Sequence, residues 1–392
     1  MHEVVVVGAG LAGVRAAEEL RAEGFTGRLT VVSAERELPY DRPPLTKGLL
    51  AGTLTEDDIR LAGADALDAR WIRGNGAVGL DRERRRLLLA DGAELPYDGM
   101  VLATGARARA WPGDAPPDTV LTVRELGDVR ALRAAVAGGV RDVVVLGAGL
   151  VGVELASSLV GLGVRVTLVE PSGRPLRALG GAVAERIAEA ARRAGVELLL
   201  GTGVRAVRTE QRRGDAVELT DGTVRPAGLV VAAVGRAPAT DWLAESGLAL
   251  PSGWIGCDER LFARTTPGGA DPRIVVAGDV ACCDAVRTAD GPAPLEHWSN
   301  AAAQGPWATR NLLAGPDRAT AYEHLPSFWT SAFGLRVKAV GLPGTGDRVV
   351  VESEEPAVGA LVEAHYRRGR LVGAVSVNAG RLLGEYARRL RV

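Results

Sequence analysis

The chain has 392 residues, 47% of them hydrophobic and 24% charged, with 47 Lys and Arg against 48 Asp and Glu. At roughly 100 to 200 residues per domain this length predicts two or three globular domains, and the composition excludes a disordered chain. The balanced charge gives no general attraction for nucleic acid, and no apolar run approaches the roughly 18 residues of a membrane span.

The opening MHEVVVVG lacks the basic start and apolar length of a secretory signal, so the chain is expected to stay in the cytoplasm. Residues 4–13, VVVVGAGLAG, read as a buried strand running into Gly8-x-Gly10-x-x-Gly13, followed by a helical pattern over residues 14–23. The first glycine permits a tight turn, the second lets the backbone approach a pyrophosphate, and the third allows close helix packing. The helix N-terminus supplies free N–H groups and positive potential. A second strand, LTVVSAE, ends at Glu35, about 20 residues on, where an acid accepts hydrogen bonds from a ribose. Next comes LPYDRPPLTK (residues 38–47), in which three prolines stiffen a segment carrying Arg42 and Lys47.

The same order returns at residues 143–152, VVVLGAGLVG, with Gly147, Gly149 and Gly152 opening a helix and the strand VRVTLVE ending at Glu170. The segments DGAELPYDGMVLATG (91–105) and DGTVRPAGLVVAAVG (221–235) repeat a turn, a strand and a terminal glycine at an offset of 130 residues. Each half is therefore a nucleotide-binding fold, and two dinucleotides are implied. A third apolar strand, IVVAGDV, ends in Gly278-Asp279 and has no counterpart in the second half. A carboxylate at such a strand end can accept from a ribityl hydroxyl. Glu154, two residues past Gly152, is by position a favourable residue for the helix dipole in a first turn. Cys257, Cys282 and Cys283 form neither a C-x-x-C pair nor a zinc quartet, and His2, His297, His324 and His365 are scattered, so buried structural thiols are expected.

Taken in order, the first glycine turn, LPYDRPPLTK, LATG (102–105), the second turn with Glu154, VGRAP (234–238), VAGDVA (276–281) and EHWSNAAAQG (296–305) span essentially the whole chain. Together they resemble the putidaredoxin-reductase-like family: FAD-dependent, NADH-dependent ferredoxin reductases that feed bacterial cytochrome P450s and ring-hydroxylating oxygenases. LATG and Gly-Asp are shared with the wider glutathione-reductase-like superfamily, whereas YDRPPLTK with EHW narrows the match.

The resemblance implies an α/β fold of two Rossmann-like dinucleotide domains, and from about Tyr322 the pattern changes to alternating strands, VVVESE, ALVEAHYRRG and RLVGAVSVN, and a final helix RLLGEYARRL, which read as a small C-terminal α+β domain. The expected boundaries are 1–108 and 240–318 for FAD, 109–239 for NAD, and 319–392 for the C-terminal domain. It implies an FAD site of Gly8, Gly10, Gly13, Glu35, Arg42, Lys47, Thr104, Gly105, Gly278, Asp279, Trp298 and Trp329. The implied NAD site is Gly147, Gly149, Gly152, Glu154, Glu170 and Gly235. Arg42 is assigned to the diphosphate side and Lys47 to the flavin N5, paired with Glu154 where nicotinamide enters; these two are the catalytic candidates. Trp298 is placed over the isoalloxazine, although a lone tryptophan of this kind more often belongs to a core.

The implied reaction passes a hydride from NADH to FAD and single electrons to a [2Fe–2S] ferredoxin, without the disulfide route that a C-x-x-C pair would serve. A monomer or weak homodimer is expected, with no membrane or nucleic-acid partner. An NADH oxidase or quinone reductase, and a redox-sensing nucleotide-binding interaction protein, are the competing readings. One departure concerns the acceptor side: where relatives carry FWSDQ, this chain has Phe328-Trp329-Thr330-Ser331-Ala332. Arg310, Arg318, Arg336 and Lys338 are candidate contacts for an acidic partner, or ordinary surface charges.

Overall fold

The computed structural model describes all residues except 65, 117–118, 211–213, 289–290 and 392. The segment WPGDAPPD (111–118), near which the NAD domain is expected to begin, thus lies partly outside the described residues. The chain forms two compact units, Met1–Asp41 with Arg60–Arg107 and Ala237–Pro326, and Arg42–Ile59 with Ala108–Arg236 and Ser327–Val392.

In the first unit the N-terminal valines form the strand Glu3–Val7, flanked in parallel by Arg28–Ser33 and Gly99–Leu102. A run of β-branched residues suits a strand covered on both faces, and Val4, Val5 and Val6 are fully buried. The strand Ala270–Val276 pairs in parallel with Gly99–Leu102 and delivers Gly278 and Asp279 at its end. Among the described residues the sheet reaches nine strands. The helix Trp298–Ala314 lies against the helix Leu11–Ala22 at Gly305, where a Cβ would sit 2.4 Å from the Ala12 carbonyl oxygen. Only glycine permits that approach.

In the second unit Asp142–Leu146 lies between Arg165–Glu170 and Leu229–Ala232 in a parallel sheet of five strands among the described residues. The repeat is visible in the register: Val4 pairs with Gly99 as Val143 pairs with Leu229. The segments 91–105 and 221–235 therefore occupy equivalent places in the two units. The C-terminal sheet is antiparallel, in the spatial order Ser327–Ala332, Leu335–Gly341, Arg370–Val377, Ala360–Arg367, Arg348–Glu355, and is followed by the helix Leu383–Leu390. These strands and helix are the mixed α+β domain expected from the alternation after residue 322.

Two segments pack otherwise than the expected boundaries placed them. Residues 42–59 belong to the second unit, where the Arg133 guanidinium donates to the Leu49 carbonyl at 3.2 Å and Arg130 pairs with Glu56 at 2.6 Å. Residues 319–326 stay with the first unit through Tyr322, whose N–H donates to the Glu259 carbonyl at 2.6 Å and whose hydroxyl donates to Asn300 at 2.9 Å.

Candidate functional site

Both glycine turns have the same steric logic. Gly8 has φ +112°, and a Cβ there would lie 2.2 Å from the Ala103 carbonyl oxygen; a Cβ on Gly13 would lie 1.9 Å from that of Gly8. A Cβ on Gly10 would meet nothing within 4 Å. In the second turn Gly147 has φ +96° and faces Ala233 O at 2.6 Å, Gly152 faces Gly147 O at 1.9 Å, and Gly149 again faces open space. The outer glycines are thus demanded by the fold, while the middle one leaves a gap that the protein does not fill. The helices that follow, Leu11–Ala22 and Leu150–Gly161, have no side-chain cap and no acidic residue in the first turn. Open backbone beside an uncapped helix N-terminus is the environment a pyrophosphate requires, so the residues present fit a dinucleotide at each turn.

Glu170 ends the strand Arg165–Glu170, whereas Glu35 lies two residues past the strand Arg28–Ser33, and the two acids differ in how they are held. The Tyr40 hydroxyl donates to the Glu35 carboxylate. Glu170 accepts backbone N–H groups from Ala148 at 2.8 Å and Ser172 at 2.9 Å. It lines a cleft of about 420 Å³ with Ala148, Gly149, Pro171, Ser172, Leu176 and Arg177. Arg177 is a residue the sequence reading passed over. Arg174, four residues past Glu170, has a guanidinium nitrogen 3.6 Å from the place of a Cβ on Gly181.

In the first unit Gly278, at φ +81°, donates its N–H to the Gln304 side chain at 2.8 Å, and a Cβ there would lie 2.8 Å from that of Ala12. Gln304 is 1% exposed. It stood in the quoted EHWSNAAAQG but carries a role that nothing local revealed. Trp298 opens its helix and donates Nε1–H to Asp41 at 2.7 Å. The Thr104 hydroxyl donates to the Ala239 carbonyl at 3.0 Å, and Gly105, at φ +68°, has open space at its Cβ position. Asp279 stands in the turn Gly278–Val280.

In the second unit Lys47 and Glu154 form an ion pair at 2.7 Å, and the Glu154 side chain is 9% exposed. Glu154 is the fifth residue of its helix rather than a member of the first turn, which corrects its reading as a helix-dipole residue. Its Oε2 accepts from the Thr46 hydroxyl at 2.5 Å and its Oε1 from the Thr330 hydroxyl at 2.5 Å. Lys47 also donates to the Pro43 carbonyl at 3.1 Å. Arg42 donates to the Arg124 carbonyl at 2.7 Å. The prolines act as predicted locally: Pro43 and Pro44 open a single helical turn, Pro43–Thr46, that holds Thr46 and Lys47 in consecutive positions. Thr46 and Thr330 are the donors that sequence reasoning missed, because neither threonine has a local signature.

Trp329 is 43% exposed on the strand Ser327–Ala332 and pairs in register with Lys338, while Ser331 pairs with Arg336. Arg310, by contrast, is committed to Glu19 at 2.7 Å in the first unit. Cys257, Cys282 and Cys283 are buried free thiols; a hydrogen bond with Cys283 and burial push the Cys257 thiol well above its ordinary range.

Residues 2–305 match the model of the pyridine nucleotide-disulphide oxidoreductases, and residues 327–390 match the reductase C-terminal domain. The chain is 37% identical to the anthranilate 1,2-dioxygenase system ferredoxin–NAD(+) reductase component of Burkholderia cepacia, over 98% of this chain and 93% of that protein. It is similar to the crystal structure of the ferredoxin reductase for the CYP199A2 system from Rhodopseudomonas palustris, with a TM-score of 0.90 at 29% identity, covering 100% of this chain and 95% of that one. It is also similar to putidaredoxin reductase in its covalent complex with putidaredoxin, with a TM-score of 0.88 at 28% identity over 99% and 93% of the two chains. With both glycine turns, the enclosed Glu154 paired with Lys47 and the C-terminal sheet in place, the chain belongs to the pyridine nucleotide-disulphide oxidoreductase family, among its ferredoxin reductases.

Proposed function

We propose that this protein takes reducing equivalents from NADH onto FAD and passes single electrons to a [2Fe–2S] ferredoxin that serves a cytochrome P450 or a ring-hydroxylating oxygenase. The observation that carries the reading is the pair of glycine turns, each with its middle glycine open to a ligand, in one chain without a C-x-x-C pair. Bound FAD supplies the step between a two-electron donor and a one-electron acceptor. Gly8, Gly10 and Gly13 seat its pyrophosphate, Glu35 its ribose, Asp279 its ribityl chain, and Thr104, Gly105, Gly278, Trp298 and Trp329 border the remainder. Gly147, Gly149 and Gly152 seat the pyrophosphate of NADH, Glu170 accepts from its ribose 2′-hydroxyl, and Gly235 lies beside it. Arg42 neutralises the FAD diphosphate, and Lys47 presents its ammonium at the flavin N5 with Glu154 as its counter-ion. A fixed cation there stabilises the negative charge that develops on reduction.

In domain terms, 1–108 and 240–318 supply the FAD site, with residues 42–59 of that range packed in the second unit; 109–239 bind NADH; and 319–392 form the C-terminal domain, with residues 319–326 packed in the first unit. Among the described residues no helix is long and apolar enough to cross a membrane. The protein acts in the cytoplasm as a monomer or weak homodimer. Trp329 with Lys338 and Arg336 offers an acidic ferredoxin an aromatic and cationic edge.

The test is cytochrome c reduction with a panel of [2Fe–2S] ferredoxins across ionic strength. Stimulation by ferredoxin that declines as salt rises is the expected result. Turnover with oxygen or a soluble quinone exceeding every ferredoxin-dependent rate would instead establish the oxidase or quinone reductase.

A further inference from the structure

We infer that Thr330 is a positioning residue for the reductive step: its hydroxyl, brought in by the C-terminal sheet, orients the Glu154 carboxylate that in turn fixes the Lys47 ammonium. The inference rests on the reading that Lys47 acts on the flavin.

The Glu154 carboxylate is almost wholly enclosed and takes three donors. Oε1 is shared by Lys47 Nζ at 2.7 Å and Thr330 Oγ1 at 2.5 Å, so the oxygen that meets the ammonium is the one Thr330 holds. Thr330 is 1% exposed, which leaves its hydroxyl no competing bulk water. A hydroxyl donating to a carboxylate in such surroundings makes a strong, directional bond. Side chains alternate along a strand, so Thr330 points inward while its neighbours Trp329 and Ser331 are exposed.

The strand is anchored where it matters. Just past its end, the Phe333 N–H donates at 2.8 Å to the hydroxyl of Ser157, three residues beyond Glu154 on the same helix. Ser158 donates at 2.7 Å to the Thr46 carbonyl. Positions three and four apart share a helix face. Glu154, Ser157 and Ser158 therefore form one polar face that binds the strand of Thr330 and the turn of Lys47 together. Without the Thr330 hydroxyl, Oε1 loses one of its two partners, and the carboxylate that faces Lys47 is left to Thr46 at Oε2 and to the lysine itself, a looser hold on its plane.

The experiment compares Thr330→Val, which preserves shape, with Thr330→Ser, which preserves the hydroxyl, in the FAD-loaded protein. Thr330→Val is expected to slow single-turnover reduction by NADH about tenfold, as losing one hydrogen bond to a charged group implies, with the Kd for NADH unchanged. It should also lower the equilibrium flavin potential in the same direction as Lys47→Met. Thr330→Ser should return both to within about twofold of wild type, and Thr330→Val should have no further effect in a Glu154→Gln background. An unchanged potential and rate in Thr330→Val, alongside an altered Lys47→Met, overturns the positioning role alone. No change in either variant overturns the underlying reading of Lys47. If Thr330→Val fails to take up FAD, Thr330→Ala and Thr330→Ser replace it; equal potentials in those two mean that packing, not the hydroxyl, is at work, and the inference falls.

Discussion

The two glycine turns share a backbone and part company two residues after the third glycine. In the first unit that position is Arg15, whose side chain is 43% exposed and paired with Glu18 at 2.7 Å. In the second it is Glu154, enclosed and holding Lys47, Thr46 and Thr330. The first helix is covered instead by Trp298–Ala314, whose Gly305 presses on Ala12 and approaches Arg15. A duplicated turn thus makes the same open backbone twice, and the partner packed on the following helix decides whether a charge there is a surface ion pair or an enclosed one. Exposed pairs contribute little, typically about 0 to 1 kcal/mol, whereas an enclosed charge must be fully partnered.

The largest expected effect separates the fold's glycines from the ligand's. Gly8→Ala forces a Cβ onto a carbonyl oxygen at a positive φ, and is expected to yield protein that folds poorly and takes up no FAD. Gly10→Ala meets no protein atom, so it should fold with a wild-type melting temperature and still bind FAD at least tenfold more weakly. Gly149→Ala should do the same for NADH while the FAD content stays at about one per chain. Flavin absorbance, thermal melts and NADH titration check all three; a normal FAD affinity in Gly10→Ala would mean that no phosphate approaches that turn.

The next effect tests the divergent position directly. Lys47→Met is expected to slow flavin reduction about a hundredfold and to lower the flavin potential while FAD remains bound, because under the proposed role it deletes a cation beside developing negative charge. Glu154→Gln should perturb the same step. Arg15→Gln, at the equivalent place in the other unit, should leave rate and potential within about twofold of wild type. Stopped-flow reduction of the three variants decides; equal behaviour of Lys47→Met and Arg15→Gln would make the proline-rich segment a stiff connector.

A smaller effect concerns nucleotide choice. Glu170 is held by two backbone N–H groups, and in its proposed place at the ribose it would repel a 2′-phosphate, so kcat/KM should favour NADH over NADPH by about tenfold or more. Arg177 lines the same cleft, and Arg177→Ala is expected to widen the preference. Parity in the wild type would show that the guanidinium outweighs the carboxylate.

The smallest effect lies on the strand Ala360–Arg367 of the second unit, where it meets the helix Gly181–Arg193. Glu363 is 1% exposed, accepts the Ala182 N–H at 2.8 Å, and has its carboxyl pushed up by burial; Arg174 and Glu185 also face it, and burial pushes His365, two residues on, down. A raised carboxyl contributes stability that is complete below the unfolded carboxylate range and lost as pH rises through the folded value. His365 has the opposite sign and loses its contribution as pH falls below the ordinary imidazole range. Glu363→Gln should therefore gain in melting temperature over wild type as pH rises from about 4 to 8. A difference that stays constant with pH would show that the Glu363 carboxyl keeps the same protonation in the folded and unfolded chains.

Much of the fold was legible because its signals are local. Three glycines at fixed spacing, a valine run before them and an acid about 20 residues later need only their own neighbours to be recognised. The placement of residues 42–59 was not, since prolines report stiffness but not the surface on which a stiff segment packs. Trp298 stood out by its motif, yet its partner Asp41 lies 257 residues away in sequence.

By itself the amino-acid sequence determined that this chain carries two dinucleotide turns, strands of the right length to bury them, and a C-terminal run of alternating strands. Backbone conformation at glycine and proline and the period of apolar residues depend on short stretches of chain, which is why these features survive reading in one dimension. Only the tertiary structure decided that the carboxylate of Glu154 takes Thr46 from 108 residues away and Thr330 from 176. A threonine hydroxyl suits solvent, a helix cap or a buried carboxylate equally well, and its partner is set by which strand the completed fold lays against the helix.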